Sequence, residues 1–175
     1  MDISHKTILL AEDDRNDEEL FRRAIAQANI NCRVDVARDG EELVRYLIGT
    51  ADQRRTTRGA DVDLVLLDLK MPKLNGLQVL TVMHNAHRVA DELAPPIVVF
   101  TSSDAEQDVS SAYALGAVSY VPKPVSHGRF VETVQQLVLY WLGVNRRAPR
   151  RPRGVVAASA AGWQGAMHEP GLGTG

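Results

Sequence analysis

The chain is poor in cysteine, in long apolar runs and in net charge, and each shortage excludes something. A single cysteine, Cys32, rules out an internal disulfide and suits a reducing cytoplasm; its plainest reading is a small buried hydrophobe. No apolar run approaches the roughly 20 residues of a membrane-spanning helix, and no secretory signal is evident, so a cytoplasmic location is expected. The net charge of −2 hides an asymmetry: residues 146–175 hold five arginines against Glu169 alone, or +4, which leaves −6 on the remainder. An acidic body with a basic end argues against a nucleic-acid-binding core. With 175 residues, 45% apolar and 24% charged, the chain can bury one sizeable domain core.

The stretch that organises the chain runs from Asp61 to Gly76. Leu64 to Leu67 is short and wholly apolar, as in a strand buried on both faces, and it ends in Asp68 before a proline turn. Open α/β sheets place their ligands at the carboxyl ends of such strands. Packing alone does not call for Asp68. For a lone aspartate the bland alternative is a solvated strand end or a helix cap.

In chain order, Ile8 to Ala11 reads as a buried strand running into Glu12-Asp13-Asp14. A helix is expected from about residue 15 to 28, with Leu20, Ala24 and Ala28 as an apolar stripe widened by Phe21 and Ile25. Asp17, Glu18 and Glu19 load its first turn with negative charge, which the helix dipole favours. Cys32, Val34 and Val36 alternate with polar residues, as in an edge strand. Asp39 with Glu42 resembles a capping box opening a helix to about Ile48. Polar residues 49–60 read as a mobile surface loop. Beyond the third strand, Asn75 can cap a helix to about His84 or slightly further. Ile97 to Phe100 is a fourth strand, Asp104 to Leu115 a helix stopped by Gly116, and Val118 to Val121 a fifth strand. Ser126 caps the last helix, whose face is Phe130, Val134, Leu137, Val138 and Trp141. Five strands alternating with five helices imply one parallel sheet covered on both sides. Residues 1–145 therefore form the domain. The proline- and glycine-rich residues 146–175 form a basic tail expected to be disordered.

The strand ends carry Glu12 and Asp13, then Asp68, then Thr101 with Ser102, then Lys123, and a parallel sheet delivers all of them to one edge. Converging carboxylates repel by about 4 kcal/mol per pair at 4 Å in an effective dielectric near 20. A divalent cation removes that penalty, and oxygen donors select Mg²⁺ or Mn²⁺ over zinc. A metal, an ammonium and a hydroxyl around one carboxylate make a cradle for a transferring phosphoryl group. His84 and His87 lie at i, i+3 with no evident carboxylate or cysteine partner, so no zinc site is expected there.

Over residues 6–142 the chain resembles the receiver domain of bacterial response regulators. The resemblance is carried by Glu12-Asp13, by Asp68-Leu-Lys-Met-Pro-Lys-Leu-Asn-Gly76, by Thr101-Ser102 and by Tyr120-Val-Pro-Lys123-Pro124. It implies a flavodoxin-like, doubly wound sheet of order 2-1-3-4-5, and an Asp68 that accepts a phosphoryl group from a histidine kinase. It further implies Mg²⁺ held directly by Asp13, through water by Glu12, and by Asp68 and the Lys70 carbonyl. Lys123 would pair with the phosphoryl oxygens, Thr101 would move toward them, and Tyr120 would swing inward behind it. The Lys123–Pro124 bond would be cis. Many family members have two aspartates where this chain has Glu12-Asp13, and Lys70 projects near the site. Such a protein catalyses only its own phosphotransfer and slow dephosphorylation.

No helix-turn-helix pattern follows, so output is expected through protein–protein contact. The Glu-Asp-Asp start with Asp17 close behind, the polar loop and the ending Leu137 to Leu142 resemble the single-domain regulators that partner phytochromes. That likeness implies a phytochrome-type kinase as partner and a homodimer through the fourth helix, fifth strand and fifth helix, with Tyr140-Trp141 as a contact. The alternative use for Trp141 is closing the domain's own core. A different class of function, an unphosphorylated receiver-like adaptor, would keep the fold and use the surface constitutively. A haloacid-dehalogenase-type phosphatase would need aspartate at position 70, where this chain has Lys70.

Overall fold

Five apolar runs become five parallel strands, and the polar-faced segments between them become the helices that cover the sheet. The structure is a computed structural model and describes residues 3–48, 61–90 and 95–146, with the side chains of 87–90 outside the description. The polar loop at 49–60, residues 147–175 of the basic tail and the side chain of His87 lie outside the described residues. The strands are β1 (Thr7–Ala11), β2 (Arg33–Ala37), β3 (Leu64–Leu67), β4 (Ile97–Thr101) and β5 (Ser119–Pro122). The helices are α1 (Arg15–Gln27), α2 (Gly40–Ile48), α3 (Gly76–Ala90), α4 (Glu106–Ala114) and α5 (His127–Val138). The sheet order is β2-β1-β3-β4-β5, as the resemblance implied. β1, β3 and β4 are buried throughout, whereas β2 and β5 at the edges are only partly covered.

Alternate residues of the central strands feed two apolar layers. Ile8, Leu10, Leu64, Leu66, Val98 and Phe100 face α1 and α5, where Phe21, Ile25, Phe130 and Val134 meet them. Leu9, Val65, Leu67 and Val99 face the opposite layer with Leu43, Val79 and Leu80. Trp141 packs against the first layer, so it closes the domain's own core, while Tyr140 beside it stays half exposed. Among the described residues no helix is long and apolar enough to cross a membrane.

Local chemistry sets the helix ends. Asp14 caps α1 by accepting the Asn16 N–H at 2.7 Å, Ser126 caps α5 through the Arg129 N–H, and Gly116 takes φ +94° after α4. Asn75 and Gln78 exchange side-chain bonds with each other's amides, a reciprocal cap for α3. The expected box at α2 closes differently: Asp39 accepts the Glu42 N–H, but Glu42 reaches back to the Arg38 N–H instead of Asp39's. Three boundaries move. α3 continues to Ala90; α4 begins at Glu106 because Ala105 is still extended at ψ 126°; and α5 gives way after Val138 to a π-helical segment, Leu139–Val144.

Gly40, at the start of α2, is pressed against the loop between β3 and α3. A Cβ on Gly40 would stand 2.1 Å from the Leu74 carbonyl oxygen and 2.6 Å from the Leu74 Cβ. Lys73, at φ 64°, ties the same loop down by an ion pair to Asp39 at 2.6 Å. That ammonium, helped by the Glu42 amide, holds the Asp39 carboxyl below its ordinary range. Gly40→Ala is expected to cost about 3 kcal/mol, because backbone rather than a flexible side chain must yield. A urea midpoint within error of wild type would show that this contact has slack.

Candidate functional site

The register of the sheet assembles the site. Ala11 pairs with Leu67, so Glu12 and Asp68 leave neighbouring strands side by side; the Asp68 N–H donates to the Ala11 carbonyl at 3.1 Å. Thr101 pairs with Pro122, and the Lys123 N–H donates to the Thr101 carbonyl at 2.7 Å, which places Lys123 next to them. Glu12, Asp68 and Thr101 are all buried although polar. Buried polar groups need partners, and here they find one another.

Lys123 Nζ is the hub. It donates to Glu12 Oε2 at 2.6 Å, Asp17 Oδ2 at 2.8 Å and Asp68 Oδ2 at 2.8 Å. The other Asp68 oxygen, Oδ1, accepts the Thr101 hydroxyl at 2.7 Å and the Lys70 N–H at 3.0 Å. The Lys123 ammonium lies 6.0 Å from the centroid of the Phe100 ring. Burial alone would push the lysine down, but hydrogen bonds to Asp17, Asp68 and Glu12 outweigh it and hold the ammonium above its ordinary value. Glu12 moves up from 4.5 because burial penalises its charged form more than Lys123 favours it.

Of the residues expected at the site, Glu12, Asp68, Thr101 and Lys123 are in direct contact. Asp13 is exposed just beyond Glu12, and the Lys70 side chain turns to solvent while its amide serves Asp68. Tyr120 is half-buried against the second apolar layer; its hydroxyl donates to the Ser103 carbonyl at 3.0 Å, and burial raises its pKa. Two participants escaped the sequence reading. Asp17, read as a helix-dipole charge, sits on Lys123, and Ser103 receives Tyr120 while its own hydroxyl donates to Asp108 at 2.6 Å. No spacing marked Asp17, because Asp13 and the extended Asp14 precede α1 and the helical repeat does not link them to it.

One expectation is corrected. The Lys123–Pro124 bond is not cis, for the described residues contain no cis peptide bond. The trans preference before proline is small, about 0.5–1 kcal/mol, and with this bond trans the Lys123 ammonium contacts all three carboxylates.

Among the described residues no group of three or more Asp, Glu, His or Cys side chains is arranged to hold a metal ion by itself. Mg²⁺ does not require one: it keeps several waters and takes one or two carboxylates. The donors that the resemblance implied, Asp13, Asp68, Glu12 and the Lys70 carbonyl, are hard oxygens of the kind such an ion takes.

Comparison with known proteins gives a consistent answer. The response regulator receiver domain family matches residues 8–135. FilR2 of Methanothrix harundinacea, named a "probable methanogenesis regulatory protein", is 35% identical over 140 residues, which span 79% of this chain and 85% of FilR2. The response regulator Rcp1 of Synechocystis sp. is 30% identical over 137 residues, spanning 78% of this chain and 89% of Rcp1. A crystal structure of its Mn²⁺-bound form superposes with a TM-score of 0.67 at 28% identity, over 82% of this chain and 99% of that one. The phosphorylated cyanobacterial phytochrome response regulator RcpA superposes with a TM-score of 0.70 at 30% identity, over 81% of this chain and 97% of that one.

Proposed function

Because the chain belongs to the response regulator receiver domain family, we propose that Asp68 accepts a phosphoryl group from the phosphohistidine of a sensor histidine kinase. One observation carries this reading: a buried carboxylate at the end of the central strand with Lys123 on one oxygen and the Thr101 hydroxyl on the other. An Asp68 oxygen attacks phosphorus as the P–N bond breaks, and the electron pair of that bond stays on the kinase imidazole. Lys123 offsets the charge gathering on the phosphoryl oxygens. Thr101 swings its hydroxyl from Asp68 Oδ1 to a phosphoryl oxygen, and Tyr120 follows into the space it leaves. Bound Mg²⁺, or Mn²⁺ in its place, would neutralise phosphoryl charge. Asp13, Asp68 and the Lys70 carbonyl would hold it, with Glu12 acting through water. The Mn²⁺-bound form of Rcp1 supports a divalent ion in this fold but does not bear on which residues hold it.

Likeness to Rcp1 and RcpA supports a phytochrome-type kinase as the donor. Output then passes through the α4–β5–α5 face to a protein partner, a second copy included. Tyr113, Val118 and Tyr140 leave large apolar surface on and beside those elements. Sedimentation before and after phosphorylation tests the second copy: Tyr140→Asp is expected to abolish a phosphorylation-dependent shift, and an unchanged shift counts against this face.

The central test is labelling by a small-molecule phosphodonor. Wild-type protein is expected to take up an acid-stable, base-labile label only when Mg²⁺ is present. Equal labelling in excess chelator contradicts the metal's part, and no labelling under any condition favours an unphosphorylated adaptor.

A further inference from the structure

Lys123 has no proton to spare. An ammonium carries three N–H donors, and Glu12, Asp17 and Asp68 take one each, at 2.6 to 2.8 Å. On the reading that Asp68 is phosphorylated, the incoming group brings further acceptor oxygens and about two negative charges. Lys123 can serve them only by releasing an existing partner. Asp68 is the attachment point itself. Glu12 is buried, and its second oxygen is already held by the Asp14 N–H at 3.1 Å. Asp17 differs from both. Its side chain is 35% exposed, against 4% for Glu12 and 7% for Asp68, and it stands on the first turn of α1 at the mouth of the site. On leaving Lys123 its carboxylate passes directly into water, with no burial cost to keep it charged.

We infer that Asp17 is a displaceable counter-ion for Lys123, a positioning residue that occupies the third ammonium proton until a phosphoryl oxygen takes it. The empty site thereby keeps its lysine aimed inward without holding stray anions. The cost is a competition that every arriving phosphoryl group must win. Asp17 acts through Lys123 and not on the metal.

Beryllium fluoride, a tetrahedral stand-in for the phosphoryl group, tests this on the full chain by calorimetric titration in saturating Mg²⁺. Asp17→Asn is expected to bind it about fivefold more tightly than wild type, the scale of a partly exposed ion pair. In a Lys123→Met background the same substitution is expected to change affinity by less than about twofold, since the group competed for is gone. Titration with Mn²⁺ alone separates the roles further: Asp17→Asn should leave metal affinity unchanged, whereas Asp13→Asn should lower it. Unchanged or weaker beryllium fluoride binding by Asp17→Asn overturns the inference, as does an equal gain without Lys123 or a loss of Mn²⁺ affinity matching that of Asp13→Asn. Wild type that binds Mn²⁺ but no beryllium fluoride would sink the phosphoacceptor reading itself, and this inference with it.

Discussion

Asp68→Asn is expected to reduce phosphodonor labelling to background while the protein stays folded. The substitution removes the nucleophile, since an amide oxygen in this setting does not form the acyl phosphate. It also rearranges the partners. The amide oxygen of asparagine can still accept from Thr101 and the Lys70 amide, which the Asp68 Oδ1 bonds at 2.7 and 3.0 Å satisfy now. The NH₂ group would then face the Lys123 ammonium, donor against donor. Lys123 keeps Glu12 and Asp17, so the cluster survives with one fewer charge. Circular dichroism should therefore match wild type, with labelling lost. A persistent acid-stable, base-labile label would place the acceptor on another carboxylate.

Lys123→Met should have the largest effect on stability. Removing one partner of a buried ion cluster typically costs about 3–5 kcal/mol, because the remaining charges stay buried and unpaired. Here Glu12 and Asp68 are left buried and facing one another without their shared cation, while the more exposed Asp17 turns to water. Two conditions should restore part of the loss. Mg²⁺ relieves the same repulsion, so the variant should gain more stability from the metal than wild type does. Acid should help as well. Burial already lifts Glu12 above 4.5 in the presence of Lys123, and without the ammonium it rises further. A carboxyl with a higher pKa folded than unfolded binds the extra proton in the folded state, so stability falls as pH rises above 4.5 through the raised value. Urea midpoints of the metal-free variant should thus improve as pH falls from neutrality toward 4.5. A midpoint insensitive to both pH and Mg²⁺ would mean that Glu12 and Asp68 also separate once the lysine is gone.

Most of the fold was legible because the apolar runs are short, clean and regularly spaced. Leu64 to Leu67 appears as read, and every other strand lies within one residue of its expected limits. Helix ends were read less well where no side chain marks them. α4 lacks a side-chain cap, so neither Asp104 nor Ala105 announces its start, and nothing in Leu137 to Leu142 signals the change to a π-helical turn. At the site, strand-end position was enough to bring Glu12, Asp68, Thr101 and Lys123 together. Asp17 lies on the first turn of α1 as read, but its bond to Lys123 went unread because a first-turn aspartate already has an adequate explanation in the helix dipole. Only the path of the Lys123 side chain reveals its second employment.

The surroundings of Asp68 differ in compliance from one flank to the other. On the α2 side, the Gly40–Leu74 contact and the Lys73–Asp39 bridge brace the loop, and a Cβ on Gly76 would meet the Asp68 carbonyl oxygen at 2.6 Å. On the β5 side, Lys123 ties the strand end to three carboxylates, while the Thr101 and Tyr120 hydroxyls each donate a single bond, to Asp68 and to the Ser103 carbonyl. On the proposed reading of Asp68, load applied there is expected to exchange these two single hydroxyl bonds before it moves the braced loop.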